Sequence, residues 1–209
     1  MNELIDYAFN KVSPARIKPG SWSARAFRLA DEGAIPPEMA RRMLIDLIGP
    51  SLDTTILGTG SLLMLLAQNP DQWRALKASP SLIPNAVNEA LRLESPVRAF
   101  TRHVARDTEI GGVRVPEGAR VLVLYGSANR DERRWQDADR FDIRRPGAAG
   151  HLAFGAGRHT CLGAHLARLE MQSILRAMTA RVDSFEIGKP VFVLNNILRG
   201  LQSLPMTLH

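Results

Sequence analysis

The stretch Phe154-Gly155-Ala156-Gly157-Arg158-His159-Thr160-Cys161-Leu162-Gly163 contains the one cysteine of the chain, and its reading decides the fold. Gly155 and Gly157 stand two positions apart, so the backbone there can enter conformations that side chains resist, and a tight loop is expected. A strongly periodic segment from about Leu162 to Val182 reads as a helix, which puts Cys161 where the loop meets it. Free N–H groups and the positive dipole end at a helix start favour thiolate over thiol. Gly163, placed one turn into that helix, removes a side chain where a flat ligand could lie close. Arg158 and His159 offer donors suited to carboxylates.

Four chemistries are open to such a cysteine. The commonest is none, because a lone cysteine usually serves as a small buried hydrophobe. Zinc is a second, since His151, His159, Cys161 and His165 lie close in sequence, but their spacing is not that of paired zinc ligands. A nucleophile with His159 as base is a third, without an evident oxyanion partner. The fourth is an iron–thiolate bond to haem, with the glycines leaving room for the porphyrin.

Outward from this loop, the rest of the chain is that of an ordinary globular protein. Its 209 residues suffice for a sizeable core, and 16 glycines and 13 prolines are far from a low-complexity composition. A single cysteine excludes an internal disulfide framework. The first residues carry acids where a signal peptide carries lysine or arginine, and the most apolar stretch, Ile56 to Ala67, is too short to span a bilayer. These features point to a cytoplasmic chain with no membrane contact. Lysine and arginine number 27 against 21 acids, a net charge of +6. The arginines are spread through amphipathic segments without a dense basic run, so no nucleic-acid partner is expected. They make a solvated face or a patch for an acidic protein.

Periodicity predicts helices near Leu4–Val12 and Trp22–Glu32, then a longer one opened by Pro36-Pro37-Glu38. That helix continues through Pro50 and stops at Asn69-Pro70, where Asn69 is expected to cap the next helix, from about Pro70 to Ala78. Pro84 opens another, to about Leu93. Short strands are read at Thr108–Ile110, Val113–Val115 and Arg120–Leu124, with turns at Gly111-Gly112 and Pro116-Glu117-Gly118. Asn129 to Arg145 is polar and aperiodic, and Val191–Leu208 reads as a closing hairpin.

The cysteine stretch resembles the ligand loop of the cytochrome P450 family, Phe-Gly-x-Gly-x-His/Arg-x-Cys-x-Gly, at every fixed position. The resemblance implies haem b as cofactor, with Cys161 as the axial iron ligand, Phe154 packed by the sulfur and His159 on a haem propionate. Gly155 and Gly163 would leave space at the porphyrin. Arg102, in Phe100-Thr101-Arg102-His103-Val104, matches a second propionate contact, and Val97 to Phe100 would line the substrate pocket. Glu89 and Arg92 stand at i and i+3, where an exposed pair contributes only about 0.2–0.5 kcal/mol. In the family such a pair bonds an arginine of a later loop. The matching segment, Asp139-Arg140-Phe141-Asp142, makes Arg140 the expected third member.

Leu52-Asp53-Thr54-Thr55 places an acid and hydroxyls inside an apolar helix, which is costly unless they serve a polar pocket or bond back to a carbonyl four residues earlier. By resemblance Asp53 and Thr54 relay protons to iron-bound dioxygen. The family usually has Ala/Gly-Gly just before the acid, and here Pro50-Ser51 stands instead, so the carbonyl of Asp46 loses its helical donor and a kink is expected. Asn195 to Leu201 resembles the family's closing strands.

The resemblance thus implies a fold that is mainly α with small β segments, the C-terminal portion of the cytochrome P450 fold. Residues 1–209 would form a single partial domain, with the N-terminal half of the family absent. The implied reaction inserts one oxygen atom from O2 into a small organic substrate, with electrons from a ferredoxin- or flavodoxin-like donor. The alternative is a truncated, non-catalytic haem-binding remnant that does not turn over alone.

Overall fold

The computed structural model describes residues 2–209, which fall into two compact units, one ending at Asp53 and the other Thr54–His209. In the first unit, α1 (Asn2–Asp6) runs into a wider turn over Tyr7–Lys11. Ser21 caps α2 (Trp22–Asp31) by accepting from the amide of Ala24 at 3.2 Å, which satisfies one of the free donors at the helix start. Ala8, Ala26, Phe27, Ala40 and Leu44 form the core of this unit. Arg41 ties it together, donating to the carbonyls of Ala8 (2.8 Å) and Val12 (3.3 Å) while lying over the Phe27 ring.

Helix α3 (Pro37–Gln68) contributes to both units and runs on through Pro50. Pro50 removes one donor, and the Ser51 hydroxyl supplies another one residue on, to the carbonyl of Leu47. Asn69 does not cap the next helix, α4 (Pro70–Ala78), through its side chain. Its Nδ2 turns back to the Leu65 carbonyl at 2.8 Å and closes α3 instead, and its own carbonyl accepts from Gln72 and Trp73.

In the second unit α5 (Ile83–Leu93) packs on α7 (Ala164–Arg181). One core joins Leu62, Leu66, Trp73, Ile83, Val87 and Leu175, all at or near full burial. Fully burying side chains of this size contributes about 1.5–3 kcal/mol each. Trp73 meets Phe185 edge-on at 5.0 Å and donates its ring N–H to the Asp183 carbonyl, so the end of α7 is held to α4. A four-residue helix, α6 (Tyr125–Ala128), leads into the long irregular segment up to the cysteine loop.

The strands pair antiparallel. β1 (Phe100–His103) joins β4 (Arg120–Val123), and β2 (Thr108–Ile110) joins β3 (Val113–Val115) through a two-residue turn. In that turn Gly111 and Gly112 both have positive φ (+58° and +81°), the hairpin geometry that glycine makes cheap. β5 (Phe185–Ile187) takes β8 (Met206–Leu208), and β6 (Val191–Phe192) takes β7 (Leu201–Ser203). The expected closing hairpin is therefore split, with its last strand on β5. The expected class, mainly α with small β segments, is corrected to mixed α/β. Eight strands accompany seven α-helices among the described residues, and partners as distant as β1 and β4 or β5 and β8 escape a reading of local periodicity.

Gly200, just before β7, shows how tightly the closing segment meets α3. A Cβ built on it would lie 2.2 Å from Leu57 Cδ2 and 2.6 Å from Leu57 Cβ. Rotating the leucine cannot clear the second contact, so the backbone of one element must move. Gly200→Ala is expected to destabilise the chain by roughly 1–3 kcal/mol. A lowered urea midpoint would show this; an unchanged one would mean that α3 yields freely.

Candidate haem-thiolate site

The cysteine loop is held by its own backbone. Gly155 (φ +69°) donates to Leu152 O at 2.9 Å, and Cys161 N donates to Phe154 O at 2.9 Å. Gly157 (φ +74°) accepts from both the amide and the hydroxyl of Thr160, at 3.1 and 2.8 Å. Both glycines thus occupy the left-handed region that a side chain would strain. Helix α7 begins only at Ala164, so Gly163 sits at the cap position and not one turn inside the helix. A Cβ there would rest 3.9 Å from Cys161 Sγ. The Cys161 thiol is free and exposed, as are Arg158 and His159.

Phe154 lies beneath Arg168, whose guanidinium carbon is 4.5 Å from the ring centroid, and beside His151 at 5.6 Å. Arg168 donates to Asn88 Oδ1 at 2.9 Å, which links α7 to α5. Burial holds this guanidinium below its ordinary pKa, and the charge of Cys161 acts in the opposite direction. His151 is buried, and its Nδ1 accepts from the Ala153 amide at 3.1 Å. Its Nε2 finds no partner among the described residues.

Glu89 and Arg92 form no surface pair: both are fully buried. Arg92 Nε and Nη2 grip the two carboxylate oxygens at 2.7 and 2.9 Å, the bidentate geometry that a planar guanidinium favours. The third member is Arg145, whose Nε reaches Glu89 Oε1 at 2.8 Å. The expected third member, Arg140, points its side chain to solvent and contributes only its carbonyl, which accepts from Arg145 at 2.7 Å and Arg92 at 3.3 Å. Arg92 and Arg145 also collect the carbonyls of Asn129, Ala138, Gln136 and Asp137, so every part of this charged group is bonded. Asp137 adopts φ +47° there, the one described non-glycine residue in the left-handed region.

Arg102, on β1, donates to the hydroxyl of Tyr125 at 2.9 Å and to Thr101 O at 3.1 Å. Tyr125 is buried, and its hydroxyl lies 3.9 Å from where a Gly155 Cβ would be, which brings β1 beside the cysteine loop. Sequence reading passed over Tyr125, and only the β1–β4 pairing that delivers it marks it out. Val97 bridges to Leu198, and the nearby Glu94 carboxylate accepts from Arg130 (2.9 Å) and Arg199. Asp53 is exposed and Thr54 half-buried, at consecutive positions of α3.

The zinc alternative finds no site, because among the described residues no three of His, Cys, Asp or Glu are grouped to hold a metal ion. No described helix is long and apolar enough to cross a membrane.

The profile of the cytochrome P450 family matches residues 28–186. Cytochrome P450 CYP199A2 of Rhodopseudomonas palustris is 43% identical over 203 residues, 97% of this chain and 49% of that protein. Linalool 8-monooxygenase of Pseudomonas putida is 37% identical over 212 residues, 100% of this chain and 52% of its own. The solved structure of cytochrome P450 CREJ in complex with (4-ethylphenyl) dihydrogen phosphate superposes with a TM-score of 0.92 at 35% identity, over 99% of this chain and 53% of that one. The chain spans about half the length of the curated relatives it matches. The expectation of a resemblance to a C-terminal portion alone is corrected by the way these alignments run. The alignments to linalool 8-monooxygenase and to CREJ take in 100% and 99% of this chain, the segment before Thr54 included, and the family's mixed α/β arrangement follows nearly the whole chain. With most of its length inside the matched profile, the chain belongs to the cytochrome P450 family.

Proposed function

We propose that this protein serves a haem-dependent monooxygenase that inserts one oxygen atom from O2 into a small organic substrate. The observation that carries the reading is the exposed Cys161 thiol, presented by a two-glycine loop whose backbone bonds fix its place. The donor set fits the cofactor. One soft sulfur ligand is exposed, and Gly163 presents no Cβ beside it. His159 and the guanidinium of Arg102 are cationic or donor groups suited to propionates. When bound, haem b supplies the activation of dioxygen, with two electrons and two protons consumed and water released.

The chain's own residues would do the rest. Cys161 would hold the iron, with the Phe154 ring, pinned under Arg168, shielding the sulfur from water. Arg102 would orient one propionate, itself oriented by Tyr125, and His159 would bind propionate from the loop. Gly163 would keep the space by the sulfur open. Glu89 and Arg92, joined by Arg145, would keep the segment before the loop rigid. Asp53 and Thr54 would pass protons along α3, a role resting on the family resemblance. Electrons would come from a ferredoxin- or flavodoxin-like donor, as in a protein of the cytoplasm.

The test is reconstitution with haem, reduction and addition of carbon monoxide. A Soret band at the thiolate-ligated position is expected, and its complete loss in Cys161→Ala. An unchanged band in that variant would overturn the assignment.

A further inference from the structure

The segment from Asn129 to Arg145 is aperiodic and polar in sequence, yet its first residue is 1% exposed. Every polar atom of Asn129 is bonded. Its amide donates to Tyr125 O at 2.9 Å, and its carbonyl accepts from Arg92 Nη1 at 2.7 Å. Its Oδ1 accepts from the Leu152 amide at 2.7 Å, and its Nδ2 donates to Ser95 Oγ at 2.8 Å. Ser95 in turn donates to Leu91 O on α5 at 3.0 Å. Leu152 O then accepts from Gly155, and Phe154 O from Cys161, each at 2.9 Å. A continuous series of hydrogen bonds therefore leads from the buried Glu89–Arg92 pair to the backbone of Cys161, and Asn129 is the only side chain within it that reaches the loop's approach.

We propose that Asn129 is the positioning residue that registers the cysteine loop against α5. The proposal rests on Cys161 being the iron ligand. Glu89, Arg92 and Arg145 stabilise the core of this region, but none of their side-chain bonds reaches residues 152–161. Asn129 makes that connection through one acceptor atom. A backbone amide buried without its partner is costly, so the Leu152 N–H acts as a reporter of that atom.

Two variants separate positioning from packing. Asn129→Leu keeps the volume and removes both polar atoms. Asn129→Asp keeps the acceptor for Leu152 and loses the donor to Ser95. Mere packing makes the buried acid the worse of the two. Positioning makes leucine the worse at the loop. Amide hydrogen exchange of the 209-residue chain reads this without haem. Leu152 is expected to exchange roughly tenfold faster or more in Asn129→Leu, measured against the core amide of Met171, and less than that in Asn129→Asp. In the haem-loaded protein, the thiolate-ligated share of the reduced carbonyl adduct should fall in Asn129→Leu and recover in Asn129→Asp.

Unchanged Leu152 exchange in Asn129→Leu, or equal acceleration in both variants, would overturn the proposal. Should Asn129→Leu not fold, Ser95→Ala frees the Asn129 amide to turn and must accelerate Leu152 in the same direction. Cys161→Ser in the otherwise natural chain separates the two claims. If it keeps the thiolate signature, the ligand assignment fails while the exchange data still judge Asn129.

Discussion

Glu89→Ala is expected to cost about 3–5 kcal/mol, a large share of the stability of an ordinary domain. The carboxylate is fully buried and answers three donors on Oε1 alone: Arg92 Nη2, Arg145 Nε and the amide of Asp142. Removing it leaves two guanidiniums in a site closed to water, with only carbonyls for company. The loss follows from the charges left behind, not from the pair's own net value, which desolvation largely cancels. A urea titration followed by far-UV circular dichroism measures it. A shift below about 1 kcal/mol would show that water enters to solvate the arginines.

The same network separates its arginines. Arg145→Ala removes a guanidinium with partners on Glu89, Gln136, Asp137 and Arg140, whereas Arg140→Ala removes an exposed side chain and keeps the carbonyl that matters. The second variant should stay within about 0.5 kcal/mol of the natural chain.

That contrast marks how far the sequence is legible. The tight turn of the cysteine loop is legible because its constraints are local, two glycines in left-handed backbone within three residues, while the helix start is read too early and falls at Ala164. Helices α2 to α5 read well for the same reason, each bounded by a capping serine or a proline. What fails is pairing across distance. Arg140, Arg144 and Arg145 are alike in composition, and only the path of the backbone through Asp137 turns Arg145 inward. Asn69 looks like the cap of the helix after it because its type suits both ends of a loop, but its Nδ2 donates back to Leu65 O. Asn129 and Tyr125 carry no local signal, since their value comes from partners 23 residues away.

His151 gives the second large effect, and it depends on pH. Its pKa is lowered from 6.5 to about 4, chiefly by burial, then by the charges of Arg168 and Arg92. The geometry agrees: Nδ1 accepts the Ala153 amide, so a second ring proton would face an N–H it must displace. Because the folded-state value lies below the unfolded one, the unfolded chain takes up the proton first as pH falls. The neutral ring's contribution is whole above pH 6.5 and is lost progressively down to about 4, amounting to roughly 3 kcal/mol at about 1.4 kcal/mol per unit. His151→Asn keeps an acceptor where Nδ1 stands and cannot titrate in this range. Urea stability of the two proteins should therefore converge, or cross in favour of asparagine, between pH 6.5 and 4, while the carboxylates common to both cancel. A constant difference over that interval would mean that the ring is already charged, or solvated, in the folded protein.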